Sequence, residues 1–220
     1  MLRRTYDPSY FDSVLFRTKA ASQRNRKRIQ LILSRRPAGE LLEIGCGKGH
    51  LLQLASHSFS VSGFELSGYA TQALDPAVRE RITIADIERV SLPTSQYDVV
   101  VAFNVLEHLE SPGPVLKGIC QALKPEGVLV GSVPLKHSLV GHLHTALTNV
   151  FDRTHRSTLS LRKWQQAFRA AGFPEQDLFG EIQLGPNHAL YVRTPAWQHI
   201  SLNLVFVLAG EASLAGSAAA

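Results

Sequence analysis

The chain has 220 residues, of which 45% are hydrophobic and 19% are charged, with a net charge of +5. This composition supports a core of substantial size and excludes disordered and collagen-like proteins. No apolar run reaches the roughly 18 residues of a membrane-spanning helix, the N-terminus lacks an apolar signal-peptide core, and the two cysteines form no CxxC pair. We therefore expect a cytoplasmic protein.

The positive charge is concentrated near the start of the chain, where residues 1–36 carry ten Lys or Arg and only two Asp. The rest of the chain is mildly acidic, so we do not expect nucleic acid as a partner. The simplest interpretation of the basic segment is a solvated helix face. The alternatives are weak contact with an anionic membrane surface and contact with an acidic substrate. The sequence does not determine the oligomeric state.

The predicted elements begin with an amphipathic helix over residues 17–36, which has Ile29, Ile32 and Leu33 on one face. From residue 40, short apolar runs alternate with segments of helical periodicity. Such runs are typical of strands that are buried on both faces of a parallel sheet. The predicted strands are 40–45, 59–65, 81–86, 97–103, 127–133, 177–184 and 201–210. The predicted helices after the first are 50–58, 66–74, 113–123, 137–150 and about 158–171.

Strands separated by helices in this way predict a doubly wound α/β sheet with helices on both faces. We expect residues 1–39 to form an N-terminal arm and basic helix, and residues 40–220 to form one α/β domain. The periodicity changes after Pro134, which indicates an insertion at about residues 134–157.

The strongest motif spans residues 41–55, where a strand is followed by glycines and then by a helix. Gly45, Gly47 and Gly49 allow a sharp turn and a close approach of a ligand to the backbone. The N–H groups at the start of the helix favour an oxygen-rich or anionic group. The spacing differs from the dinucleotide fingerprint because His50 replaces its third glycine, and Gly49 after Lys48 argues against a P-loop.

Further polar residues follow the next three predicted strands. Glu65 ends the second strand, where a carboxylate can accept hydrogen bonds from both hydroxyls of a ribose. Asp86 and Ile87 end the third strand and are placed to contact an adenine, and Asn104 follows the fourth. Together with the glycine motif, these residues predict one ligand site at the carboxyl edge of the sheet.

These segments resemble the class I S-adenosylmethionine-dependent methyltransferases, and within them the small-molecule subgroup of quinone-biosynthesis and natural-product enzymes. The resembling segments are EIGCGKG (43–49), GFELS (63–67), IADIE (84–88), YDVVVAFNVLEHL (97–109) and LKPEGVLVGSVP (123–134). The resemblance implies a seven-stranded, mostly parallel sheet of order 3-2-1-4-5-7-6 whose last strand is antiparallel. It also implies that the N-terminal segment covers the cofactor edge and that the insertion forms a lid.

By the same resemblance, S-adenosylmethionine is the expected cofactor and S-adenosylhomocysteine the product. Glu43 is the acid that precedes the first glycine of the motif, Glu65 would hold the ribose, and Asn104 would lie beside the methionine moiety. The implied cofactor-binding residues are Glu43, Gly45, Cys46, Gly47, Gly49, Glu65, Leu66, Asp86, Ile87 and Asn104.

Methyl transfer needs no covalent residue, but an acceptor with a raised pKa also requires a general base, most often a histidine. His108 follows the fourth strand and could reach the mouth of the site. Asp152 and His155 lie in the expected lid and are our first choice for this role, because residues 152–173 also resemble the D-x-T-H…S…W…GF stretch of this subgroup. The histidines of the insertion match no standard zinc spacing, so we expect no metal.

The leading hypothesis is methyl transfer to an oxygen, nitrogen or carbon nucleophile of a small, partly apolar acceptor. An RNA or protein methyltransferase is less favoured, because nucleic-acid enzymes directed at amino groups commonly carry a polar-Pro-Pro-aromatic motif where this chain has FNVLEH (103–108). A cofactor-binding protein with a regulatory or scaffold role remains a third hypothesis. The sequence does not identify the acceptor.

Overall fold

A computed structural model describes residues 19–72, 75–135, 156–157, 159–183, 189–194, 201 and 203–210. The helices in this part of the chain are α1 (Lys19–Leu33), α2 (His50–Ala55), α3 (Pro76–Arg79), α4 (Pro112–Ala122) and α5 (Leu161–Ala170). The strands are β1 (Gly39–Ile44), β2 (Phe59–Glu65), β3 (Ile82–Ile84), β4 (Tyr97–Phe103), β5 (Leu123–Pro134), β6 (Glu175–Gln183), β7 (Ala189–Val192) and β8 (Asn203–Ala209). Two short 3-10 turns cover Ile87–Arg89 and Leu106–His108.

The strands form one sheet of order β3-β2-β1-β4-β5-β8-β6-β7. Strands β1 to β5 pair in parallel, and β8 is antiparallel to both β5 and β6. The α/β class and the relative order of the seven predicted strands are confirmed, but the predicted number of strands is wrong. The additional strand, β7, pairs antiparallel with β6 at the edge. Its sequence, ALYV, is a short apolar run that a buried strand would also show, but no element was predicted for this segment.

Helices cover the central strands on both faces. Leu42 of β1 belongs to one apolar cluster, together with Trp164 and Phe168 of α5, while Leu41 belongs to a second cluster, together with Ile32 of α1. Neighbouring residues of β1 therefore point into different layers, as the period-2 alternation of a strand requires. This arrangement explains why the central strands are apolar at nearly every position.

Helix α1 is placed against the sheet by polar contacts as well as by apolar ones. Ile32 is fully buried, whereas Arg24 forms an ion pair with Glu181 and Arg35 one with Asp177. The expectation of a simply solvated basic face is therefore wrong for these arginines, because they pair with carboxylates of β6. The predicted contact with an anionic membrane surface stays a prediction.

The helix predicted over residues 66–74 is not formed in its described part, where residues 68–72 form turns. Helix α3 begins later, because the Asp75 side chain accepts a hydrogen bond from the Ala77 N–H at 2.9 Å and Pro76 occupies the first turn. Residues 73–74 lie outside the described residues, as do 1–18 and most of the predicted lid, 136–155. The division into an arm, a domain and a lid stays a prediction.

None of the helices in the described ranges combines the length and the apolar character that crossing a membrane requires. The predicted cytoplasmic location stays a prediction.

Candidate functional site

The loop between β1 and α2 is held in a conformation that favours glycine. Gly45, Gly47 and Gly49 have φ angles of 68°, 51° and 62°. The Gly45 N–H donates to the carbonyl oxygen of Phe64 at 2.8 Å, which fastens the loop to the end of β2. A Cβ atom at Gly45 would lie 2.5 Å from Cγ2 of Val105, so this position has no room for a side chain. The glycine motif therefore forms a tight backbone turn at the carboxyl edge.

Glu65 links this loop to β2. Its side chain is buried, and its two carboxylate oxygens accept hydrogen bonds from the N–H groups of Gly47 at 2.7 Å and Ser67 at 2.9 Å. Burial raises the pKa of Glu65, and these backbone donors oppose the increase. Each carboxylate oxygen has more than one lone pair, so Glu65 keeps acceptor capacity for a ligand. Leu66, the next residue, is half-buried.

Asp86 and Ile87 lie just beyond the carboxyl end of β3, next to β2. Glu65 is paired in register with Ile84, which places Asp86 two residues beyond that pair. Asp86 accepts a hydrogen bond from the Glu88 N–H at 3.1 Å and so caps the 3-10 turn that contains Ile87. Ile87 itself is buried in the core. The structure thus brings these two predicted residues to the same edge as Glu65.

Asn104 directly follows β4 and has a φ angle of 56°. Its Oδ1 atom accepts hydrogen bonds from Ser132 Oγ at 2.9 Å and from Arg28 Nη2 at 3.2 Å. The Arg28 guanidinium also lies 4.3 Å from the ring centroid of Phe103. Helix α1 therefore brings a cation to the predicted site.

Sequence reasoning missed Arg28 because it counted the basic segment as solvated. A signal was present, since Arg28 precedes the buried Ile32 by four residues and so lies on the same face of the helix. Burial lowers the pKa of Arg28, and the negative charges of Glu181 and Glu43 oppose the decrease. None of the ion pairs formed among the described residues includes Arg28. A half-buried cation in this position is suited to an anionic ligand group.

Glu43 lies beneath the glycine loop and is 6% exposed. Burial raises its pKa to about 8; Arg28 opposes this increase and Glu65 adds to it. Its Oε2 atom has no hydrogen-bond partner among the described residues. Cys46 is also buried, and burial raises the pKa of its thiol, so it behaves as a small apolar residue.

Of the three predicted catalytic residues, the structure describes only His108. It lies in the turn after β4, with Nε2 4.0 Å from Oε1 of the buried Glu107. Asp152 and His155 lie outside the described residues, so all three roles stay predictions. The N–H groups of Arg156 and Ser157 each donate to the carbonyl oxygen of Glu107 at 2.8 Å. These bonds place residues 156–157 next to the turn that contains His108. Within the described ranges, no group of three or more His, Cys, Asp or Glu is placed to hold a metal.

Comparison with known proteins connects this geometry to one family. A family model described as a methyltransferase domain matches residues 16–174. A probable S-adenosylmethionine-dependent methyltransferase of Mycolicibacterium smegmatis is 32% identical over 152 residues, 67% of this chain and 57% of the relative. The mitochondrial ubiquinone biosynthesis O-methyltransferase of Schizosaccharomyces pombe is 34% identical over 115 residues, 48% of this chain and 41% of the relative. The chain thus spans about half the length of these relatives.

Solved structures share the fold at lower identity. A methyltransferase from Archaeoglobus fulgidus has a TM-score of 0.72 at 17% identity, covering 92% of this chain and 99% of that one. A possible histamine N-methyltransferase from Thermotoga maritima has a TM-score of 0.68 at 18% identity, covering 87% and 92%. At these identities the likeness concerns the fold alone.

Proposed function

This chain belongs to the methyltransferase-domain family, within the class I S-adenosylmethionine-dependent methyltransferases, and from that premise we propose that it methylates a small, partly apolar acceptor at an oxygen, nitrogen or carbon atom. S-adenosylmethionine, the cofactor, supplies a methyl group that its positive sulfur has already activated. The protein's task is to align the acceptor with that group and to exclude water.

The residues at the carboxyl edge fit this cofactor. The observation that carries the proposal is the buried Glu65 carboxylate, which accepts a hydrogen bond from the Gly47 N–H at 2.7 Å. It lies beside a loop whose left-handed positions are all glycines, so a ligand can approach the backbone there. Glu65 would hold the two ribose hydroxyls, with Asp86 and Ile87 at the adenine. Arg28 would hold the methionine carboxylate, because it is a half-buried cation beside Asn104.

The names of the relatives support a small acceptor. One relative is a ubiquinone biosynthesis O-methyltransferase, and one structural neighbour is a possible histamine N-methyltransferase. These names favour aromatic hydroxyl and amine compounds as the first acceptors to test. His108, His155 and Asp152 are the proposed residues for taking up the proton of such an acceptor.

Calorimetric titration with S-adenosylmethionine and, separately, with S-adenosylhomocysteine tests the proposal. We expect micromolar binding of both, followed by formation of S-adenosylhomocysteine when phenols, catechols and aromatic amines are added. Absence of binding in folded protein would contradict the proposal. Binding without turnover across the acceptor panel would instead favour a regulatory or scaffold role.

A further inference from the structure

A second group of polar side chains lies beside the cofactor edge, between α1 and the antiparallel end of the sheet. Its members are Arg24 and Arg28 of α1, Glu181 of β6, Tyr191 of β7 and Asn203 of β8. Glu181 is paired in register with Tyr191 on one neighbouring strand and with Asn203 on the other. Residues directly opposite each other in a sheet point to the same face, so these three side chains form a row.

The contacts of Glu181 are long for a buried carboxylate. The residue is only 4% exposed. Its Oε2 atom accepts a hydrogen bond from Asn203 Nδ2 at 3.3 Å, and its Oε1 atom lies 3.9 Å from Arg24 Nε. Charge-assisted hydrogen bonds are typically about 2.7–2.9 Å long. Within the described residues, Glu181 therefore has neighbours but no close donor.

An apolar side chain would be the simpler choice at this position. Phe179, two residues earlier on β6, is fully buried, and Val205 of β8 is 1% exposed. Burying a carboxylate costs free energy unless donors satisfy it. With only these long contacts, the Glu181 carboxylate keeps acceptor capacity for a further donor.

The position of Glu181 in the sheet supports that interpretation. Strand β6 runs parallel to β5, because both are antiparallel to β8. Glu181 is near the end of β6, so it lies towards the same edge as Asn104. Arg28 connects the two regions, since it donates to Asn104 at 3.2 Å and is stabilised as a cation by the charge of Glu181.

Tyr191 adds a hydroxyl donor to the row. Its ring packs edge-on against Phe179, with centroids 5.2 Å apart. Burial and the nearby Glu181 raise the pKa of Tyr191 to about 12. The phenol therefore keeps its proton at neutral pH and can donate a hydrogen bond.

We propose that Glu181 and Tyr191 bind the reacting group of the methyl acceptor, with the Glu181 carboxylate accepting a hydrogen bond from its O–H or N–H. This inference rests on the proposed function and narrows it, because it selects hydroxyl and amine acceptors over carbon nucleophiles. In the transfer, the acceptor oxygen or nitrogen forms a bond to the methyl carbon and the carbon–sulfur bond breaks, its electron pair remaining on sulfur. The acceptor proton passes to Glu181, which in this assignment takes the place of His108, Asp152 and His155 as the proton acceptor.

Matched probe pairs test this assignment without turnover. The protein is saturated with S-adenosylhomocysteine and titrated calorimetrically with catechol and 1,2-dimethoxybenzene, and then with aniline and N,N-dimethylaniline. Native protein is expected to bind the O–H or N–H member of at least one pair about tenfold more tightly than its methylated partner. Glu181→Gln should reduce this preference to about threefold, because its amide oxygen accepts only an uncharged hydrogen bond. Glu80→Gln, a change at an exposed residue, should keep the full preference.

The affinity for S-adenosylhomocysteine separates the possible outcomes. If native protein does not bind it, the proposed function itself is wrong. If it binds, but native protein shows no preference in either pair, or Glu181→Gln retains the full preference, only this inference is overturned. Should Glu181→Gln fail to fold, Tyr191→Phe keeps the ring contact with Phe179 and is expected to weaken the binding of both members of the preferred pair about threefold, because both can accept a hydrogen bond from the phenol. Unchanged affinities in that variant would also overturn the inference.

Discussion

The two sides of the carboxyl edge acquire their polar groups in different ways. On the side of β1 and β2, Glu65 is fixed by backbone N–H groups that lie 18 and 2 residues away in the chain. On the side of α1 and β6, Arg28 reaches Asn104, which is 76 residues away, and Arg24 pairs with Glu181. We call the first the local side, because a local motif defines it. We call the second the assembled side, because it exists only when α1 is placed against the completed sheet.

Glu43 is electrostatically coupled to both sides, and we expect its titration to have the largest effect on the free energy of unfolding. Its pKa is about 8 in the folded protein against an ordinary value of 4.5. The stability it contributes is therefore present in full below about pH 4.5 and is lost as the pH rises through about 8. In urea unfolding, the free energy of the native protein should fall over this range by up to about 1.4 kcal/mol per pH unit. Glu43→Gln should flatten this slope; a slope as steep as in native protein would contradict the assignment.

On the local side, Glu65→Ala should weaken binding of S-adenosylhomocysteine by about 100-fold, because two hydrogen bonds to a charged group are lost. Calorimetry measures this change, and Glu80→Ala serves as the control. Glu80 is exposed and precedes β3, at the opposite end of the sheet. Unchanged affinity in the Glu65 variant would exclude the proposed ribose contact.

The same side also depends on the turn at Gly45. Gly45→Ala should lower the free energy of unfolding by about 2 kcal/mol, since the left-handed backbone disfavours a Cβ and this atom would meet Val105. Gly68→Ala is the matched control, because a Cβ there has no atom within 4 Å. Equal stabilities of the two variants in urea unfolding would show that the turn can adjust.

On the assembled side, Arg28→Met should lower the affinity for S-adenosylhomocysteine about tenfold, because a charge-assisted pair is lost. Binding of 5′-methylthioadenosine, which lacks the carboxylate, should remain within about twofold of native. Arg26→Met, at an exposed position on the same helix, is the control. Equal losses for both ligands would mean that Arg28 supports the fold of the site and does not contact the carboxylate.

The sequence predicted the local side well, because its signals are short-range. The glycine motif and Glu65 follow predicted strands whose bounds agree with the structure within two residues at most. Arg28 and Glu181 were missed because their role depends on which face of the sheet α1 covers. Local patterns do not show which face α1 covers. The four-residue spacing of Arg28 and Ile32 indicates only that both lie on the same face of the helix. Strand β7 was missed although its four residues, ALYV, are all apolar, because so short a run is ambiguous until pairing with β6 defines it.

Removal of the ion pairs that hold α1 in place is expected to have the smallest effect on the free energy of unfolding. Asp177 pairs with both Arg35 and Arg193, and its side chain is 31% exposed. Burial opposes the effect of the two arginines, which hold the pKa of Asp177 below its ordinary value. The stability that these ion pairs contribute is present above the ordinary pKa of the carboxyl and is lost as the pH falls through the lowered pKa of the folded state.

Asp177→Asn should therefore lower the free energy of unfolding by about 1 kcal/mol at neutral pH and by less in acid. Glu126→Gln is the matched control, since Glu126 pairs with Arg36 of the same segment but is 74% exposed. Its effect should stay below about 0.5 kcal/mol. If both variants behave alike in urea unfolding, the ion pairs of Asp177 do not help to hold α1, and its position then depends on apolar packing and on the Arg24–Glu181 pair.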